Sequence, residues 1–179
     1  MRPVRALAVV TTVLLVTACD TAPPAEPTPT QAPPTLAPSV TPSVAASVVA
    51  GGCGTTSLYL GGLPSWADSA GVPGPTRYVM SHEGNLVGVF FGENLVAPAR
   101  TQGPQNKILW ISSVPRDGSA LTLTLTPPGG APVTVTQPAN SSPGEIYPSI
   151  VDVPSIGCWS VVAEWAGHRA TLELSYQKP

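Results

Sequence analysis

Two histidines, His82 and His168, are the only imidazoles in the chain, so they limit the acid–base and metal chemistry available to it. His82 follows Met80 by two residues, which would place a thioether and an imidazole on one side of a strand. Soft ligands of this kind suit copper, and His168 could join them. A metal site needs three or four donors, however, and the pattern favours packing for Met80 and a loop position for His82. Copper binding at these three residues is therefore the alternative interpretation.

The serines and carboxylates do not form a hydrolase motif. The G-x-S-x-G pattern of a nucleophile elbow is absent from the sequence. Two carboxylates could still meet in the fold as the acid and base of a sugar hydrolase, so a minor hydrolase is a second alternative. The sequence favours a non-catalytic protein without a cofactor, because its candidate acids are scattered: Asp68, Glu83, Glu93, Asp117, Asp152 and Glu164.

The first cysteine lies in a segment with its own chemistry. A basic start, Met1–Arg5, precedes an uncharged stretch from Ala6 to Val16, which has the length of a signal-peptide core and is too short to span a bilayer. The stretch ends in V-T-A-C at Cys19, which resembles the lipobox of bacterial lipoproteins. The resemblance implies a signal peptide over residues 1–18 and diacylglycerol on the thiol of Cys19. Two or three acyl chains would give stable membrane binding.

The residues after Cys19 are typical of a tether. Residues 19–51 are rich in Pro, Thr, Ala, Ser and Val, and no apolar face repeats at a helical or strand period. Such a segment favours extended polyproline II conformations and builds no core. We predict a disordered linker over residues 19–51 and one folded domain over residues 52–179.

The folded part predicts an all-β domain. Leu121–Thr126 alternates leucine with threonine, and a proline- and glycine-rich turn leads to Val133–Thr136, which together predict a hairpin. A second hairpin joins Cys158–Trp165 to Arg169–Tyr176. Apolar strands are predicted at Asn85–Phe91 and Lys107–Ser112. We expect an antiparallel β-sandwich with immunoglobulin-like topology, with a small barrel as the alternative.

Cys53 and Cys158 remain once Cys19 carries lipid. An even pair in an exported protein predicts a disulfide. By alternation Cys158 faces away from Trp159, so we expect the bond to hold the N-terminal segment at the edge or outside of the sandwich rather than cross its core. The alternative is two separate thiols.

Two surface features are candidate partner contacts. Trp66 lies in a loop-like Pro-Ser-Trp-Ala-Asp context, where an aromatic ring either binds a partner or plugs the end of the sandwich. Arg100 is the only charge in the segment 98–106, which could form a recognition loop. Charged residues make up 10% of the chain, against about 25% in ordinary proteins, and the formal net charge is −2, so nothing indicates a nucleic-acid partner.

Short motifs along the domain resemble a family of uncharacterised lipoproteins from actinobacteria and related Gram-positive bacteria. They include Leu63–Trp66, Gly84–Leu86, Asn106–Trp110 and, most specifically, the G-C-W step Gly157–Trp159. The resemblance implies an immunoglobulin-like domain and no assigned reaction. The sequence as a whole predicts a lipoprotein anchored at the extracytoplasmic face of the cell membrane, with a binding or accessory role toward an envelope protein or a wall polymer.

Overall fold

The computed structural model describes residues 45–100, 106–115, 117–139 and 146–179, all within one compact unit, Thr41–Pro179. These residues form two β-sheets and a short 3₁₀ helix at Ser65–Ala70. The predicted all-β class is therefore confirmed, with two separate sheets in place of the small barrel. Within the described residues no helix has both the length and the apolar character that crossing a bilayer demands.

The larger sheet has six strands and is antiparallel throughout. Along the sheet the strand order is β1-β2-β3-β4-β6-β9. Its strands are β1 Ser47–Cys53, β2 Thr56–Gly61, β3 Thr76–Met80, β4 Leu86–Phe90, β6 Lys107–Ser112 and β9 Ile146–Ile150. The edge strand β9 carries Pro148, which lies opposite Leu109 of β6 and has no N–H to donate.

The smaller sheet has five strands in the order β5-β11-β10-β7-β8. Its strands are β5 Leu95–Val96, β7 Leu121–Thr126, β8 Val133–Gln137, β10 Gly157–Trp165 and β11 His168–Gln177. All pairs are antiparallel except β5 with β11, which is parallel and covers only Tyr176 and Gln177 of β11. The rest of that edge of β11 lies beyond the reach of β5.

The main core lies between the two sheets and follows the alternation of the strands. The leucines of β7 point inward and its threonines outward, as the sequence predicts. Trp159 and Trp165 of β10 face the same core, and Trp110 of β6 is fully buried there. Trp110 donates an indole hydrogen bond to Ser149 Oγ (3.0 Å), which satisfies its one polar group.

A second apolar cluster covers the outer face of the six-stranded sheet. The 3₁₀ helix and the chain before it lay Leu63 and Ala67 over Tyr78, Val89 and neighbouring side chains of the sheet. Both faces of the central strands are therefore buried, which explains why β4 and β6 are almost continuously apolar.

Strands β6 and β7 have the predicted bounds, β8, β10 and β11 extend one residue further at one or both ends, and β4 is one residue shorter at each end than predicted. The structure also adds five strands that the sequence did not predict: β1, β2, β3, β5 and β9. The two predicted hairpins are present as β7–β8 and β10–β11. Strand β1 begins at Ser47, so the predicted linker over residues 19–51 is too long at its C-terminal end, where residues 47–51 belong to the fold. Its exposed side chains and two glycines give no strand pattern in the sequence. The segment forms a strand because it pairs with β2.

Gly88 of β4 should tolerate no side chain, because a Cβ built there would lie 2.7 Å from the Trp110 ring in the core. We expect Gly88→Ala to lower the free energy of unfolding by about 1–3 kcal/mol, the usual cost of overpacking. Urea denaturation measures the change. Gly92→Ala is the matched control, since its Cβ would meet only Asn94 O at an ordinary 3.7 Å. Equal effects of the two changes would contradict the packing argument.

Candidate functional site

The richest group of polar side chains lies where turns of the six-stranded sheet meet the open edge of β11. We call it the sheet seam; it comprises Thr55, Thr56, His82, Glu83, Thr171 and Glu173. The β1–β2 turn supplies Thr55 and the first position of β2 supplies Thr56. The β3–β4 turn supplies the next two residues, and β11 the last two. Three segments distant in sequence therefore meet at one place.

The seam supplies hydrogen-bond partners to the exposed edge of β11. The amide N–H of Thr171 donates to Glu83 Oε2 (2.7 Å), and the carbonyl of Thr171 accepts from His82 N (2.9 Å). Two residues further on, the amide of Glu173 donates to Thr56 Oγ1 (2.8 Å). Side chains and one turn amide thus replace the missing neighbour strand, which protects an edge that could otherwise pair with another chain.

The imidazole of His82 is held between the two sheets. Its Nε2 lies 3.2 Å from Glu173 Oε2, 3.1 Å from Thr55 Oγ1 and 3.2 Å from Thr56 Oγ1. Its Nδ1 lies 3.4 Å from Thr171 Oγ1. The His82 side chain is 39% exposed and that of Glu173 is 19% exposed, so solvent screens this pair in part.

Both carboxylates of the seam have a pKa below that of free glutamate. Burial acts to raise the pKa of Glu83, but the hydrogen bonds from the Thr171 amide and hydroxyl, with the nearby His82, bring it below its ordinary value. Burial also acts to raise the pKa of Glu173, and the Thr56 hydroxyl and His82 lower it overall.

This geometry differs from that of a catalytic triad. In a catalytic triad the histidine ring nitrogen that faces the nucleophile contacts no carboxylate, and a carboxylate accepts a hydrogen bond from the other ring nitrogen. Here Glu173 shares Nε2 with both threonine hydroxyls. The other nitrogen faces Thr171, whose hydroxyl donates to Glu83 Oε1 (2.7 Å). Thr56 is buried, with 5% exposure, and its hydroxyl donates to Glu173. The arrangement suits holding the sheets together.

The three candidate copper ligands do not meet. Met80 packs against the outer apolar cluster, His82 belongs to the seam, and His168 lies beside the Trp165 ring at 6.0 Å between centroids. Nowhere in the described part of the chain do three or more His, Cys, Asp or Glu side chains form a group suited to a metal ion. The geometry therefore does not favour the copper alternative.

Cys53 and Cys158 form the predicted disulfide. It joins the end of β1 in one sheet to β10 in the other, and both cysteines are only half-buried. Cys158 lies opposite Ser175 of β11, and Trp159 points into the core. The bond thus lies on the outward side of β10 near the start of that strand, beside the seam, and does not cross the core, as expected from the alternation around Cys158.

The remaining candidates lie elsewhere. Trp66 is part of the 3₁₀ helix, where it packs half-exposed on the outer apolar cluster rather than at the end of the sandwich. Arg100 is exposed, and most of its predicted recognition loop (101–105) lies outside the described residues, as does Cys19. Asn106, at the end of that loop, is buried and bonds both the amide and the carbonyl of Val96 (2.8 Å each).

Sequence reasoning missed most of the seam. Glu83 was one of several scattered acids, and Thr56, Thr171 and Glu173 were not singled out. Alternation along β11 does place Thr171 and Glu173 on the outward side, but nothing in the sequence indicates which turns would reach them.

Comparison with known proteins adds no relative: no family model, no curated protein and no solved structure matches this chain. The resemblance to a lipoprotein family therefore stays a prediction.

The lowered pKa values of Glu83 and Glu173 predict acid sensitivity. A carboxylate whose folded pKa lies below its unfolded pKa stabilises the fold above about pH 4.5, and this stabilisation is lost as pH falls through the folded value. We expect the urea midpoint to drop between pH 6 and pH 3. The double variant Glu83→Gln/Glu173→Gln should be less stable at pH 6 and should lose less on acidification.

Because Glu83 is exposed and solvent screens half-buried Glu173 in part, the difference should stay below about 1 kcal/mol for each carboxylate. Glu164→Gln is the control, since Glu164 lies exposed on β10. If the double variant and Glu164→Gln both follow the wild-type pH profile, the charges of Glu83 and Glu173 do not stabilise the fold.

Proposed function

We propose that this protein is a lipoprotein that displays a non-catalytic binding domain at the extracytoplasmic face of the cell membrane. The support for the anchor is the V-T-A-C sequence at Cys19, which follows an uncharged core of signal-peptide length. The proposal includes a signal peptide over residues 1–18 and a tether that ends where β1 begins.

The proposed fold of the domain is an immunoglobulin-like sandwich. Two mainly antiparallel sheets around one core support it, as does a tryptophan pair on β10 that packs in that core. The disulfide departs from the antibody pattern, because Cys158 faces away from the core and the bond does not cross it. The proposed kinship with Gram-positive lipoproteins is supported by the G-C-W step, in which Cys158 is cross-linked and Trp159 is buried.

One observation carries the binding role. The side chains with catalytic potential, His82, Glu83 and Glu173, are occupied in joining the sheets, whereas Trp66 stays half-exposed on the outer face. Half-exposed aromatic rings are frequent anchors for partners. We place the partner contact at Trp66, with exposed Arg100 as a second contact, and the partner is an envelope protein or a wall polymer.

The anchor predicts the behaviour of Cys19→Ser in a bacterial host. The wild-type protein should incorporate labelled palmitate and partition into the detergent phase of a membrane extract, because its acyl chains dominate the partition. The Cys19→Ser chain should carry no label and should leave the detergent phase. The control Cys53→Ser/Cys158→Ser should still be labelled. An unlabelled wild-type protein would refute the anchor and leave the fold untouched.

The binding role predicts that Trp66→Ala weakens a partner captured by cross-linking in the native host by about tenfold, while the main core keeps the domain folded. Val72→Ala is the matched control, because Val72 packs on the same outer cluster and carries no ring. Thermal melting checks the folding of both variants. Equal capture by the Trp66→Ala and wild-type proteins would place the contact elsewhere, and equal loss in both variants would make the role of Trp66 structural.

A further inference from the structure

Strand β1 is held differently from the strands that follow it. None of its seven residues is fully buried, and Val48 is 65% exposed. Its pairing with β2 covers Ser47–Val49 and then breaks, since Ala50, Gly51 and Gly52 face the single residue Ser57 before pairing resumes at Cys53. Val49 alone among its side chains packs, half-buried, against the main core. One half-buried apolar contact and an irregular ladder mark a segment that opens at a lower free-energy cost than the rest of the domain.

The chain from Cys53 onward is held firmly. The disulfide joins Cys53 to β10. Shortly after it, the hydroxyls of Thr55 and Thr56 donate to Glu173 of β11. Both attachments reach across to the five-stranded sheet. A force applied along the chain from the N-terminal side is therefore transmitted at Cys53 directly to the five-stranded sheet.

We propose that β1 is a detachable strap: tension on the N-terminal side of Ser47 peels residues 47–52 from β2 and stops at the Cys53–Cys158 bond, while the domain stays folded. The source of that tension rests on the proposed lipid anchor, and the strap itself does not. At about 3.4 Å per residue, the six peeled residues add roughly 20 Å of chain.

Release of the strap has a structural consequence at β2. It opens the edge of Thr56–Gly61 and uncovers Leu58, which Gly51 approaches so closely that a Cβ there would lie 2.9 Å from Leu58 Cδ2. A Cβ on Gly52 would lie 2.5 Å from Thr56 O. The two glycines thus let the strap lie against β2 when tension is absent.

Single-molecule stretching of the full chain by its two ends tests the strap. The oxidised protein should show a small reversible step, up to about 20 Å, below the force of global unfolding. A Ser47→Cys/Leu60→Cys disulfide, at directly opposed positions of β1 and β2, should abolish that step. In Cys53→Ser/Cys158→Ser the step should grow, since nothing covalent stops the peeling. Three outcomes would each overturn the proposal. They are no step in the oxidised protein, a step that persists in the Ser47→Cys/Leu60→Cys variant, and an unchanged step in the variant without the native disulfide.

Hydrogen exchange on the unstretched, oxidised chain provides a second test, independent of variants that fold poorly. The β1 amides that donate to β2 should exchange at least tenfold faster than the amides within Leu58–Gly61 that donate to β3, because the latter stay paired when β1 opens. Equal protection of β1 and β2 would show that β1 opens only with the whole domain, and would overturn the strap. Neither test depends on lipid at Cys19, so failure of the anchor and failure of the strap are separable.

Discussion

Much of this structure is arranged around one constraint, the open edge of β11. The last strand pairs with β10 on one side, yet on the other side β5 reaches only its final residues. An open strand edge leaves backbone amides and carbonyls free to pair with another chain. Two turns of the opposite sheet supply the partners, through Glu83, His82 and Thr56. The polar cluster that first resembles a reaction centre is thus explained by hydrogen bonding.

The same solution organises the rest of the domain. Because the β1–β2 and β3–β4 turns must reach β11, the six-stranded sheet closes over the main core on that side, and the disulfide reinforces the closure. The outer face of that sheet is left apolar and is covered by the 3₁₀ helix, which places Trp66 at the surface. The position of the candidate binding residue therefore follows from how the sheet is covered.

The sequence indicated some parts of this arrangement and concealed others for physical reasons. Alternation revealed β7, β10 and β11, because each has one face in the core and one in solvent. It could not reveal β1, whose two glycines and exposed valine give no periodic signal, or β5, which consists of two residues. The pairing of Cys53 with Cys158 followed from counting the cysteines that remain in a chain with a predicted lipidation site at Cys19. The seam could not be predicted, since it depends on contacts between residues nearly ninety or more positions apart.

Pro148 has a consequence for many copies displayed side by side. It sits in β9, the far edge of the six-stranded sheet, opposite Leu109. A proline removes one donor from that edge, and its ring obstructs a neighbouring backbone. An unprotected strand edge is a template for pairing with another chain. A single imino acid makes this border a poor template for such pairing, so dense display is compatible with each domain remaining separate.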